Sequence, residues 1–140
     1  MLQNKNIVII GGTTGLGFSA AKAFIANGAN VVVVGRNEET VNEAKNSLGK
    51  NALAICGDAI KESAAINAIN TCIEKFGSFT GLYHVAGGSG RKMGDGPLHE
   101  LTLDGWNKTA RISGLNVSQI GHCPRKSIEA RKRMDHRCLT

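Results

Sequence analysis

The feature that most constrains this chain is a short apolar run that passes directly into a cluster of glycines. Residues 7–10 read Ile-Val-Ile-Ile, and residues 11–17 read GGTTGLG. Apolar residues at helical spacing follow, at Phe18, Ala21 and Phe24, and predict an α-helix. Dinucleotide-binding units have the order strand, glycine turn, helix, and their pyrophosphate binds to the free N–H groups at the start of the helix. The pattern predicts such a binding turn, with a flexible glycine loop that holds no ligand as the alternative.

The glycines of this turn are spaced G-x-x-x-G-x-G, at positions 11, 15 and 17. Glycine lets the backbone approach a phosphate and adopt positive φ angles where a Cβ atom would clash. The candidate cofactor-binding residues of the turn are Gly11, Thr13, Thr14, Gly15, Leu16 and Gly17.

Strand and helix patterns alternate through the first three quarters of the chain. We predict strands near residues 5–10, 31–34, 52–56 and 81–86, helices near 15–27, 38–48 and 62–76, and a short helix that starts near Thr102 or Asp104 and contains Trp106. The run of four valines at 31–34 suits a strand that is covered on both faces. Short connections between alternating elements imply right-handed crossovers. The chain is therefore predicted to be an α/β protein with a Rossmann-type, doubly wound parallel sheet.

Four loops follow the predicted strand ends, and ligands of such sheets bind beyond the carboxyl ends of the strands. The loops are the glycine turn and the segments that begin at Gly35, Gly57 and Ala86. We expect them to line one crevice. The further candidate cofactor-binding residues are Arg36, Asn37, Asp58, Ala59, Ala86 and Gly87.

Together these segments resemble the short-chain dehydrogenase/reductase family, over roughly residues 1–108. Residues 10–17 look like the family's T-G-x-x-x-G-[IL]-G turn, with Ile10 in place of the threonine. Asp58-Ala59 stands where the family has an Asp-Val pair that holds the adenine, and residues 84–87, HVAG, occupy the place of Asn-Asn-Ala-Gly. Trp106 fits a tryptophan that often opens the next helix. The resemblance implies a nicotinamide dinucleotide cofactor, hydride transfer to or from a small carbonyl or alcohol substrate, and homo-oligomers.

The catalytic residues that the resemblance implies are a serine and a Tyr-x-x-x-Lys pair, and we identify none in this chain. The single tyrosine, Tyr83, lies inside the predicted fourth strand, and position 87 is glycine where lysine would be required. The family's helix asparagine would fall at Ser113, and Asn116 comes three positions later. We expect the cofactor-binding part of an oxidoreductase that is catalytically incomplete in this chain. The alternative is a non-catalytic dinucleotide-binding or sensor fragment that acts through a partner.

The choice between NADP and NAD depends on the end of the predicted second strand. An acidic residue there would bind the ribose hydroxyls and repel a 2′-phosphate. This chain has Gly35 and then Arg36, and a guanidinium group binds phosphate and stacks on adenine. NADP is favoured and NAD remains the second candidate. The alternative for Arg36 is a side chain that points into solvent.

Residues 109–140 form an atypical basic tail. The net charge is +6, and residues 123–140 contain six basic and two acidic side chains. The expected helix pattern stops after Lys108. We hypothesise a frameshift or truncation that removes the family's C-terminal half, so that the sheet ends after about the fourth strand. Nucleic-acid binding by the tail is not favoured, because no aromatic residues accompany its charges.

Composition indicates a protein of the cytoplasm. No apolar stretch is long enough to span a membrane, and residues 1–4 do not resemble a signal peptide. The four cysteines contain no C-x-x-C pair, so we expect reduced and mostly buried thiols. The spacing of His122, Cys123, His136 and Cys138 fits no common zinc template, and no metal site is predicted.

Overall fold

The computed structural model describes residues 2–87 and 102–107. Four parallel strands alternate with three helices of more than ten residues in this part of the chain. The elements are β1 (Asn6–Ile10), α1 (Gly15–Ala26), β2 (Asn30–Gly35), α2 (Glu38–Leu48), β3 (Ala52–Cys56), α3 (Glu62–Phe76) and β4 (Gly81–His84). The sheet order is β3-β2-β1-β4, so the direction of winding reverses after β3. The predicted Rossmann-type parallel sheet is confirmed.

The helices cover both faces of the sheet. On one face, Ile9 of β1 and Val33 of β2 pack with Ala21 of α1 and Ala44 of α2. On the other face, alternate residues of the same strands pack against α3. The four valines of β2 are 0–1% exposed, as an uninterrupted β-branched run predicts for a strand buried on both sides. None of the described helices has the length and hydropathy needed to cross a membrane.

The fourth strand is shorter than the predicted 81–86. Its ladder ends at His84, because the backbone N–H groups of Val85 and Ala86 both donate to the Ile10 carbonyl oxygen, each at 2.9 Å. Two consecutive donors on one acceptor turn the chain away from the strand direction. The loop after β4 is therefore held against the end of β1.

A helical turn at residues 103–107 agrees with the predicted short helix around Trp106. Thr102 opens it, since its side-chain oxygen accepts a hydrogen bond from the Gly105 N–H at 3.1 Å. The basic tail at 109–140 and the candidate zinc ligands of that segment lie outside the described residues.

A buried asparagine joins three elements at the end of the sheet opposite the strand carboxyl ends. Asn6 is 3% exposed. Its Nδ2 donates to the Ser78 hydroxyl at 2.8 Å and to the Phe76 carbonyl at 3.2 Å, and its Oδ1 accepts from Asn30 Nδ2 at 2.9 Å. These bonds tie β1 to the start of β2 and to the loop between α3 and β4.

Replacing Asn6 by alanine is expected to lower the free energy of unfolding by about 3 kcal/mol, because three hydrogen bonds of one buried side chain are lost together. Urea unfolding followed by circular dichroism measures the change. Asn70→Ala, on the exposed side of α3, is the matched control and should change stability by less than about 0.5 kcal/mol. Equal effects of the two substitutions would show that the network contributes nothing.

Two cysteines lie in the described residues, and they differ in environment. Cys72 of α3 is fully buried in the core, as predicted, whereas Cys56 at the end of β3 is exposed, contrary to the expectation of mostly buried thiols. Cys72 Sγ lies 3.5 Å from the Ser78 carbonyl oxygen. Burial raises the pKa of the Cys72 thiol from its ordinary 9.0 to about 11.

This raised pKa predicts a loss of stability at alkaline pH. Above pH 9 the thiol ionises in the unfolded chain before it ionises in the folded one, so stability is complete below pH 9 and falls progressively up to pH 11. The loss reaches about 2–3 kcal/mol. Urea unfolding between pH 7.5 and 11 should show a shallower pH dependence for Cys72→Ala than for wild type. Parallel curves for wild type and Cys72→Ala would contradict the prediction.

Candidate functional site

A cleft of about 330 Å³ opens beyond the carboxyl ends of the four strands. The loops after all four strands line it, as the sequence predicted for a parallel sheet. The predicted site residues that line it are Gly11, Thr13, Thr14, Arg36, Asp58, Ala59, Ala86 and Gly87. Gly15, Leu16, Gly17 and Asn37 do not line this cleft and are placed separately below.

The glycine turn is fixed by the neighbouring strand. The N–H groups of Gly11 and Gly12 both donate to the Val34 carbonyl oxygen, at 2.9 and 3.1 Å. Gly11 has a φ of +85°, and a Cβ atom there would lie 2.7 Å from the backbone nitrogen of Ala86. Only glycine fits this position, because the turn lies directly against the loop that follows β4.

The start of α1 presents free backbone donors. Thr14 is the N-cap residue and makes no side-chain capping bond, and the first turn has no acidic residue. The N–H groups of Gly15, Leu16 and Gly17 have no acceptor within the helix, as at any helix N-terminus. Gly15 and Leu16 are exposed beside the turn. The positive end of the helix dipole is thus open to an anion.

Gly17 has a different role, because it is buried under the turn. A Cβ atom at this position would overlap the carbonyl oxygen of Gly11 and come within 3.0 Å of Gly12 Cα. The absence of a side chain lets α1 begin in contact with the turn. Gly17 therefore sets the distance between the turn and the helix start.

A second cleft, of about 430 Å³, adjoins the first beside α2. It is lined by Thr13, Thr14, Arg36, Asn37 and Thr40. Arg36 is exposed, and it is the only charged residue among these five. Asn37 caps α2, with its Oδ1 accepting from the Glu39 N–H at 2.8 Å. The side chain of Asn37 therefore borders this cleft, and its oxygen is already hydrogen-bonded to the first turn of α2.

The loop after β3 holds Asp58 at the edge of the first cleft. One carboxylate oxygen accepts from the Ile60 N–H at 3.1 Å, and the Asp58 carbonyl accepts from the Lys61 N–H at 2.9 Å. Ala59 is buried in the core beside it. These bonds fix the carboxylate near the carboxyl end of β3.

Several lining residues were not among the sequence candidates: Ile10, Val34, Gly35, Gly57, Ile60 and Val85. The apolar ones carry no chemical signal that separates a cleft wall from core packing. Gly35 and Gly57 could have been included, since Gly35 ends β2 and Gly57 directly follows β3, and both strands end at the same edge.

Tyr83 lies away from the first cleft. Its ring packs edge-on against Phe24, with centroids 5.9 Å apart and an interplanar angle of 72°. It lines a separate apolar cleft with Leu2, Thr80 and Leu82. Lys5 lines the same separate cleft.

The sheet order and the cleft at the strand ends define a Rossmann-type α/β protein. The chain belongs to the short-chain dehydrogenase family: a family model described as "short chain dehydrogenase" matches residues 5–122. The resemblance inferred from the sequence is confirmed.

Curated relatives support the same family. The chain is 35% identical over 116 residues to 2,5-dichloro-2,5-cyclohexadiene-1,4-diol dehydrogenase LinX of Sphingobium indicum. This alignment covers 80% of this chain and 44% of the relative. The chain is 40% identical over 73 residues to oxidoreductase asL5 of Sarocladium schorii, covering 52% of this chain and 29% of the relative. The chain thus spans less than half the length of these relatives.

Solved structures match the fold closely. A short-chain type dehydrogenase/reductase from Mycobacterium ulcerans superposes with a TM-score of 0.78 at 23% identity, over 90% of this chain and 47% of that one. A short chain dehydrogenase from Bacillus anthracis gives a TM-score of 0.75 at 27% identity, over 90% and 50%.

Proposed function

We propose that this chain binds NADP(H) in the first cleft, as the cofactor-binding part of a short-chain dehydrogenase/reductase that transfers hydride between NADP(H) and a carbonyl or alcohol substrate. The observation that carries the proposal is the convergence of all four strand-end loops on one cleft beside the open N-terminus of α1. Members of the family bind NAD(P), so the cofactor class follows from membership.

The residues present fit a dinucleotide. No atom lies within 4 Å of the position that a Cβ atom would take at Gly15, and the amides of residues 15–17 suit a pyrophosphate. We assign the adenine to the Asp58 and Ala59 loop. The backbone of Ala86 and Gly87 would border the rest of the cofactor.

The preference for NADP is proposed from charge. Arg36 borders the second cleft, and position 35 carries no carboxylate to bind the ribose hydroxyls or to repel a 2′-phosphate. A guanidinium group forms strong, charge-assisted hydrogen bonds with phosphate. NADP is therefore favoured over NAD.

When bound, the nicotinamide supplies or accepts the hydride, and the described residues hold and orient it. We propose no catalytic residue in this chain, because Tyr83 packs against Phe24 and does not line the first cleft. The substrate is proposed to be a small carbonyl or alcohol compound. The diol named for the Sphingobium relative belongs to the alcohol class.

Isothermal titration of the 140-residue chain with NADPH and with NADH tests the proposal, together with a hydride-transfer assay on a panel of small ketones and alcohols. We expect NADPH to bind at least about tenfold more tightly than NADH, a difference of about 1.4 kcal/mol, and no hydride transfer. Absence of binding would refute the cofactor site. Hydride transfer would refute the catalytic incompleteness and also the alternative of a sensor fragment.

The cytoplasm is the proposed location, because the two cysteines in the described residues are free thiols and thiols stay reduced there. The family resemblance implies homo-oligomers for the relatives, and light scattering of the purified chain measures the oligomeric state of this one.

A further inference from the structure

The end of β2 has no room for a side chain. Gly35 is buried, and a Cβ atom built on it would overlap the Thr13 hydroxyl, while lying 2.6 Å from Thr13 Cγ2 and 2.9 Å from Thr13 Cβ. All three contacts are shorter than the separation at which carbon atoms attract one another. The three nearest obstacles to a side chain at position 35 thus all belong to Thr13 of the glycine turn.

Rotation of Thr13 does not remove this obstacle. Its own Cβ atom is already too close, and turning χ1 leaves that atom in place. Thr13 is 9% exposed, and the Thr40 hydroxyl lies 3.4 Å from the Thr13 hydroxyl on the side of α2. Thr13 is therefore held between β2 and α2 with little freedom to withdraw.

We propose that Thr13 is a specificity-determining residue, which excludes an acidic side chain from position 35 by filling the space that this side chain would need. Arg36 is then the only charged residue among those lining the second cleft. A neutral, hydroxyl-lined wall next to one guanidinium group suits a dinucleotide with a 2′-phosphate. The identity of the ligand in this inference rests on the proposed function. The steric contact between Thr13 and position 35 is independent of the proposed function.

The contact is tested without any ligand, by a thermal-unfolding cycle of Gly35→Ala, Thr13→Gly and the double variant. Gly35→Ala should lower the Tm by about 5–10 °C, the size expected for an overpacked methyl group. In the Thr13→Gly background the same substitution should lower the Tm by less than about 2 °C. Gly81→Ala is the control, because a Cβ atom at Gly81 meets nothing within 4 Å.

Equal Tm shifts in the two backgrounds would overturn the steric claim. If Gly35→Ala fails to fold, folding of the double variant supports the claim, and its failure to fold as well overturns it.

The specificity claim is tested by titrating Gly35→Asp and Thr13→Gly/Gly35→Asp with NADPH and NADH. Gly35→Asp alone should lose NADPH affinity without gaining NADH affinity, because the carboxylate is misplaced. The double variant should bind NADH at least about tenfold more tightly than Gly35→Asp. If Gly35→Asp alone gains as much NADH affinity as the double variant, Thr13 does not determine specificity. If wild type binds neither dinucleotide, the proposed function and the specificity claim both fail, while the thermal cycle still decides the contact.

Discussion

Gly17→Ala is expected to destabilise the fold by about 3 kcal/mol and to abolish dinucleotide binding. The added methyl group would overlap the Gly11 carbonyl oxygen and approach Gly12 Cα to 3.0 Å. Both neighbours are backbone atoms, so no rotamer change relieves the clash. The turn and the start of α1 must separate, which moves the free N–H groups away from the cleft.

Urea unfolding and NADPH titration measure the two effects of Gly17→Ala. Gly81→Ala serves as the control, since its methyl group enters open space, and it should change stability by less than about 0.5 kcal/mol. If Gly17→Ala unfolds and binds like wild type, the close approach of turn and helix is not required for the site.

Arg36→Ala is expected to weaken NADPH binding by about 30-fold and to leave NADH binding within about twofold of wild type. Loss of hydrogen bonds between charged partners typically costs about 1.5–3 kcal/mol, and only the 2′-phosphate distinguishes the two ligands. Raising the salt concentration should reduce the difference for wild type, because the guanidinium group is exposed and screened by ions.

Two controls separate a phosphate contact from general charge effects. Arg36→Lys should give intermediate NADPH affinity, since it keeps the charge without the planar fork. Lys50→Ala removes an exposed charge that lines neither cleft and should leave both affinities unchanged. Equal losses for NADPH and NADH in Arg36→Ala would indicate stacking on adenine, and no loss would show that Arg36 points into solvent.

The order of the strands and helices could be predicted because the residue pattern of each segment agrees with its place in the fold. The buried valines of β2, the helical spacing in α1 to α3 and the positive φ angles of Gly28 and Gly77 at helix ends all follow from local sequence. The loops at the strand ends could be placed together because parallel strands share their carboxyl edge. The binding roles of the candidate residues stay predictions.

Other features depend on contacts that the sequence does not display. The early end of β4 results from two donors sharing the Ile10 carbonyl oxygen, and the exposure of Cys56 from its position at the end of β3. The steric link between Thr13 and Gly35 joins residues 22 positions apart through the packing of a turn on a strand. Residue type and spacing alone cannot reveal such a link.

The two shared carbonyl acceptors have a consequence for engineering. The Val34 carbonyl oxygen accepts hydrogen bonds from the glycine turn, and the Ile10 carbonyl oxygen accepts them from the loop after β4. These bonds therefore connect the ends of β2, β1 and β4, which are neighbours in the sheet. The glycine turn, if grafted onto an unrelated scaffold, would lack the carbonyl acceptors that shape it. A successful transplant would have to carry the ends of all three strands as one unit.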